Sequence, residues 1–170
     1  MQIVSAAECR EWSEVNLEVP HNDFRTLYPV DATYEIPTDA SRKTAIARAI
    51  VSLIDSERPG LLWITEWSIF PSGENMSLFD AYRSFLGETR SLRDAPGHIF
   101  DNKDLPQIEC LLDVILYFYW DALLFIDGNS YVLKISHDEF IAVYGKDVES
   151  LKSFVDVFER LKMSRRQNCN

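Results

Sequence analysis

Two runs of the chain, LLWITEWSIF over 61–70 and YFYWDALLFI over 117–126, restrict what it can fold into. Both are rich in β-branched and aromatic residues, and the second is apolar on both alternating faces, the pattern of a strand covered on two sides. Asp127-Gly128-Asn129-Ser130 follows it directly. Gly and Asn accept the positive φ angles of a tight hairpin turn, so the segment that begins YVLKIS reads as the return strand, over 131–135. A further strand over 28–36 is suggested by Tyr28, Val30, Ala32, Tyr34 and Ile36 alternating with more polar residues, and Pro29 makes it an edge strand or no strand.

Helical signals fill most of the remainder. Ser5 and Glu8 have capping-box spacing and start a helix over 5–15. Residues 39–56 place Ile46, Ala49, Ile50, Leu53 and Ile54 on one stripe, and 77–86, with Ser77 as cap, do the same for Leu78, Phe79, Tyr82, Phe85 and Leu86. Residues 88–103 read as a long loop around Pro96-Gly97. Asp104 and Pro106 open a helix with the stripe Ile108, Leu111, Leu112 and Ile115. A short helix is expected over 137–144, and Asp147 caps a last one reaching 162. The order is too irregular for a doubly wound parallel sheet. It predicts an α+β fold, a small, mainly antiparallel sheet packed with five to six helices, in one globular domain over 1–163 with a frayed polar tail over 164–170.

Charge narrows the partners. There are 17 Lys and Arg against 27 Asp and Glu, a net charge of −10. Neutralising phosphates needs clustered positive charge, so no nucleic-acid partner is expected. Cys9, Cys110 and Cys169 form no disulfide or metal-knuckle pattern, which fits a reducing, cytoplasmic setting. Cys110, between Ile108 and Leu111, is expected to be buried. MQIVSAAECREWSEV lacks the form of a signal peptide, and Asp121 interrupts the apolar stretch 114–126, so no membrane association is expected. No phosphate-cradling loop, dinucleotide fingerprint, nucleophile elbow or His-Glu-x-x-His pair is present, and neither cofactor nor metal is expected.

Two acids stand out because they lie inside the apolar runs: Glu66 and Asp121. A carboxylate in apolar surroundings must be paired or hydrogen-bonded, so these flag a site. By strict alternation Glu66 shares a face with Leu62 and Ile64, and Asp121 with Leu123 and Phe125; aligned faces would stand the two together beside Trp67, Tyr119 and Trp120. Each histidine has an aspartate nearby: His21 with Asp23, His98 with Asp101, His137 with Asp138. Ser136-x-x-Glu139 repeats the capping-box spacing and accounts for its acids as a helix start, leaving His137 over as a third site candidate. The charge and the missing catalytic motifs favour a non-enzymatic protein-binding module, its partner another protein, a basic one foremost, or a second copy as a homodimer. Trp67, Tyr119 and Trp120 are the candidate partner-binding residues of such a module; the alternative is a small hydrolase or lyase-like enzyme using Glu66, Asp121 and His137.

Overall fold

The run at 121–126 becomes the central strand of a seven-stranded sheet. A computed structural model describes residues 1–17, 26, 28–54, 57–67, 73–126 and 131–166. Its strands are β1 (Gln2–Val4), β2 (Val30–Glu35), β3 (Gly60–Glu66), β4 (Gly97–Phe100), β5 (Asp121–Ile126), β6 (Tyr131–Ser136) and β7 (Phe140–Gly145). Their order is β1-β4-β3-β5-β6-β7-β2, and every pairing is antiparallel. Five α-helices lie among the described residues: α1 (Ala6–Leu17), α2 (Ala40–Ser52), α3 (Gly73–Phe85), α4 (Leu105–Phe118) and α5 (Val148–Arg160). The α+β class stands, while the sheet is larger than the sequence suggests. No helix among the described residues is long and apolar enough to cross a membrane.

Both sheet faces are buried, as the two-sided apolar pattern of β5 requires. Leu62, Ile64, Ala122, Leu124, Leu133 and Ile135 point into a large core completed by α2 to α5. Leu61, Trp63, Leu123, Phe125 and Val132 point the other way, into a smaller core with Cys9 and Trp12 of α1. Gly97 marks how closely α1 and β1 approach: a Cβ there would lie 2.1 Å from the Cys9 sulfur. Burial pushes the Cys9 thiol up to about 12, so it stays protonated and serves as packing.

Several elements follow the sequence closely. Ser5 and Glu8 form the expected reciprocal capping box, with Ser5 N–H donating to the Glu8 carboxylate at 2.7 Å. Asp147 caps α5 by accepting from Ser150 N–H at 2.8 Å, and Leu151, Phe154 and Phe158 form its buried stripe. Of the two outcomes Pro29 leaves open, an edge strand or none, the first holds: β2 starts just after Pro29 and is last in the strand order.

Others need correction. The helix expected over 137–144 is absent, and strand β7 occupies most of that span. Residues 117–118 finish α4 instead of opening a strand, because the apolar stripe of α4 continues through Ile115 and Leu116 without a breaker. Tyr119 then ends the helix in the left-handed region at φ 53°, a position usually given to Gly. α3 begins at Gly73, so Ser77 is internal to it. Asp104 makes no side-chain cap for α4; its carboxylate accepts from Asp101 N–H in the preceding 3-10 turn. The expected loop over 88–103 contains β4, which together with β1 was too short to register as a periodic pattern. Ser164 to Arg166 are not frayed: Glu35 N–H donates to Ser164 O at 2.9 Å, and Arg166 N–H to Thr33 O at 2.8 Å, along the outer edge of β2. Cys110 is exposed. The 127–130 turn, residues 68–70 of the predicted strand, Cys169 and the His21–Asp23 pair lie outside the described residues.

His98 of β4 and Arg83 of α3 are buried on the helical side, 0% and 1% exposed. Arg83 donates to Ala95 O at 2.8 Å, and His98 Nδ1 lies 3.4 Å from Leu62 O. Burial, reinforced by the Arg83 charge, holds the His98 imidazole down at about 3, so it is neutral in the fold. The unfolded chain takes up that proton near 6.5. Between these values the unfolded state binds more protons, so stability is complete above 6.5 and falls as the pH drops toward 3. Urea unfolding should therefore lose up to about 1.4 kcal/mol per pH unit below 6.5 on account of His98, and His98→Gln should remove that part of the slope. Parallel pH curves for the two proteins would contradict it.

Candidate functional site

The three candidates, at the end of β3, at the start of β5 and just past the end of β6, come together. A register shift between Ile64 and Glu66 leaves Thr65 as an extra residue, so that Ile64 faces Ala122 while Glu66 faces Asp121. Strict alternation would send Glu66 to the helical side with Leu62 and Ile64. The bulge turns it to the other face, directly opposite Asp121. One strand over, the end of β6 delivers His137, and donor atoms of Glu66, Asp121 and His137 all lie within 4.8 Å of one another.

Asp121 and His137 are tied twice. The His137 backbone N–H donates to Asp121 Oδ1 at 2.6 Å, and the ring Nδ1 lies 3.0 Å from the same oxygen. The other ring nitrogen, Nε2, stands 3.7 Å from Asp138 Oδ1. The Asp121 side chain is 15% exposed and that of His137 33%, so the pair sits in a partly screened recess; Glu66 is exposed. Among the described residues neither Glu66 nor Asp121 meets a lysine or arginine. Lys134 shares their face, opposite Leu123, but its ammonium stands 5.8 Å from the centre of the Phe140 ring.

Ser136 to Glu139 form no helix cap. Ser136 pairs with Phe140, so 137–139 are a three-residue hairpin loop between β6 and β7. Glu139 takes the left-handed conformation that closes such loops, at φ 64°, and its N–H donates to Ser136 O at 3.1 Å. The Ser136 hydroxyl accepts from Asp138 N–H at 3.4 Å. The Ser-x-x-Glu spacing is common to both structures, and Glu stands where Gly would have announced a turn.

The flanking aromatics do not surround the carboxylates. Trp120 is 2% exposed and lies in the helix-side core, edge-on to Phe79 at 5.2 Å and stacked with Phe118 at 6.0 Å. Tyr119 is half-buried, with the Lys43 ammonium 3.6 Å from its ring centre, and Trp67 is half-buried against the helix-side core. Lys43 is itself 4% exposed, and burial lowers its pKa. Lys43 carries no signal in the sequence, because it lies off the apolar stripe of Ile46, Ala49, Ile50, Leu53 and Ile54. His98 and Asp101 also part company: the first is buried, and the second pairs with Lys103 at 2.8 Å.

No protein-family model matches the chain, and no curated protein or solved structure does. The residues alone carry the functional argument.

The hairpin loop can be tested directly. A non-glycine residue in the left-handed region costs about 1–2 kcal/mol, so Glu139→Gly should leave stability unchanged or raise it by about 1 kcal/mol. Glu139→Val, β-branched at the same φ, should lower it by more than about 1 kcal/mol. Chemical denaturation of both variants measures this, and the opposite order would contradict the turn.

Proposed function

We propose that the chain is an acidic protein-binding module that receives a basic segment of another protein at one end of its sheet. The observation that carries this reading is the gathering of Glu35, Glu66, Asp121, Asp138 and Glu139 at that end. Glu66 faces Asp121 across β3 and β5, and Glu35 faces Phe140, the residue that follows the 137–139 loop. Arg166 lies here too, but it donates to the backbone oxygen of Asp138 and leaves that carboxylate 67% exposed. The net charge of −10 extends the same sign over the molecule and would steer a basic partner toward it. Free Cys9 and Cys110 suit a reducing, cytoplasmic setting.

A second reading has its own support. In the 3.0 Å contact between His137 Nδ1 and Asp121, a carboxylate orients an imidazole, the arrangement a general base uses. On this reading the protein is a small hydrolase or lyase-like enzyme, with Glu66 as the second carboxylate.

Fluorescence anisotropy with labelled oligo-lysine and oligo-arginine peptides, and oligo-glutamate as control, tests the binding reading. The basic peptides should bind, more weakly as salt rises, and the double charge reversal Glu66→Lys/Asp138→Lys should weaken them at least about tenfold. Mixed-sequence DNA should not bind at physiological salt. Peptide affinity that is flat in salt, or unmoved by the charge reversal, would contradict the reading.

A further inference from the structure

Glu66, Asp121 and His137 bring their donor atoms within 4.8 Å of one another. Like charges directly opposite on neighbouring strands destabilise a sheet, and here the bulge at Thr65 places Glu66 across from Asp121 with no lysine or arginine among the described residues paired to either. The third member is an imidazole whose Nδ1 lies 3.0 Å from Asp121 Oδ1. That separation suits two donors on one ion: bonds of about 2.0–2.2 Å to a first-row divalent metal set neighbouring ligand atoms about 3.0–3.5 Å apart. Glu66, exposed at the end of its strand, can close the remaining distance within the 4.8 Å span by side-chain rotation.

A second feature, outside the donor set, has the form expected around a ligating histidine. Ligating imidazoles usually present their far nitrogen to a carboxylate, which fixes the tautomer and makes the ring a better donor. Asp138 Oδ1 stands 3.7 Å from Nε2 of His137. With Nδ1 toward Asp121 and Nε2 toward Asp138, the ring is set to hold a cation on one side and a supporting acid on the other.

We propose that Glu66, Asp121 and His137 bind one divalent transition-metal ion. Two carboxylate oxygens and one imidazole nitrogen suit Zn²⁺ or Mn²⁺ over a thiophilic metal. The ion replaces the proton that Nδ1 would otherwise share with Asp121, and it neutralises the repulsion between the two acids. Three ligands from three strand ends, with the recess open to solvent, leave coordination positions for water or for a group carried by another molecule. The metal site shares Glu66 and Asp121 with the acidic sheet end but does not rest on its reading as a docking surface, because metal ions alone, without any peptide, test it.

Isothermal titration calorimetry of the metal-free protein with ZnCl₂ and with MnCl₂ tests this, with circular dichroism to confirm that each variant folds. At least one of the two ions should bind at one equivalent. Asp121→Asn and His137→Gln should each weaken it at least about 100-fold, Asp138→Asn about tenfold through the supporting contact, and the remote exposed Glu149→Gln not at all. The ring signals of His137 should shift during the titration in NMR spectra of the wild type. Absence of one-equivalent binding for both metals would overturn the proposal. So would binding that survives Asp121→Asn and His137→Gln unchanged in folded protein, which would place the ion elsewhere.

Discussion

The pairing of β3 with β5 holds the molecule together and also makes its polar site. Six residue pairs join these strands, from Gly60 with Ile126 to Glu66 with Asp121. Over the first five, both faces are apolar: Leu62, Ile64, Ala122 and Leu124 enter one core, and Leu61, Trp63, Leu123 and Phe125 the other. Burial of this kind contributes about 25 cal/mol for each Å² removed from water, and it sets the register, since a slip of one residue would exchange the two faces. The sixth pair departs from the pattern. There the extra residue, Thr65, turns the chain so that a charged residue leaves the larger core and meets another charged residue in a recess open to water.

The rest of the sheet depends on that pairing. β6 returns against β5, with Leu124 beside Leu133, and its last residue precedes His137. The backbone N–H of His137 donates to Asp121 at 2.6 Å, so the first residue of β5 holds the loop that leads to β7. Because the loop has three residues, with Glu139 left-handed at φ 64°, β7 re-enters in register and places Phe140 opposite Glu35 of β2. One end of the sheet is thus acidic because several strands begin or end there, where the cores no longer exclude charge. Charged groups buried deeper meet a different fate: His98 stays neutral and Arg83 bonds to a backbone oxygen.

Much of this was legible in the residues, and the gaps have physical causes. The central strand, its return partner, the edge position of β2 and the caps at Ser5 and Asp147 follow from periodicity and short-range hydrogen bonding. Glu66 and Asp121 were conspicuous as charges in apolar strands. What strict alternation could not supply was the bulge, because Thr65 is an ordinary strand residue and carries no mark of being unpaired. Two left-handed residues, Tyr119 and Glu139, hid a helix end and a hairpin loop, since neither is the Gly or Asn that such conformations favour. Trp120 read as a contact residue because it adjoins Asp121, yet it is core, since its ring packs with Phe79 and Phe118.

The claim on which the candidate site rests is the register at Thr65, and cross-strand proton contacts measure it most directly. In NOE spectra of the isotope-labelled protein, backbone protons of Glu66 should show contacts across the strands to Asp121, and those of Ile64 to Ala122, with Thr65 lacking a facing partner of its own. Contacts from Thr65 to Asp121 in its place would mean an unbroken strand. Glu66 would then be turned to the opposite face, and the three-residue cluster would not form.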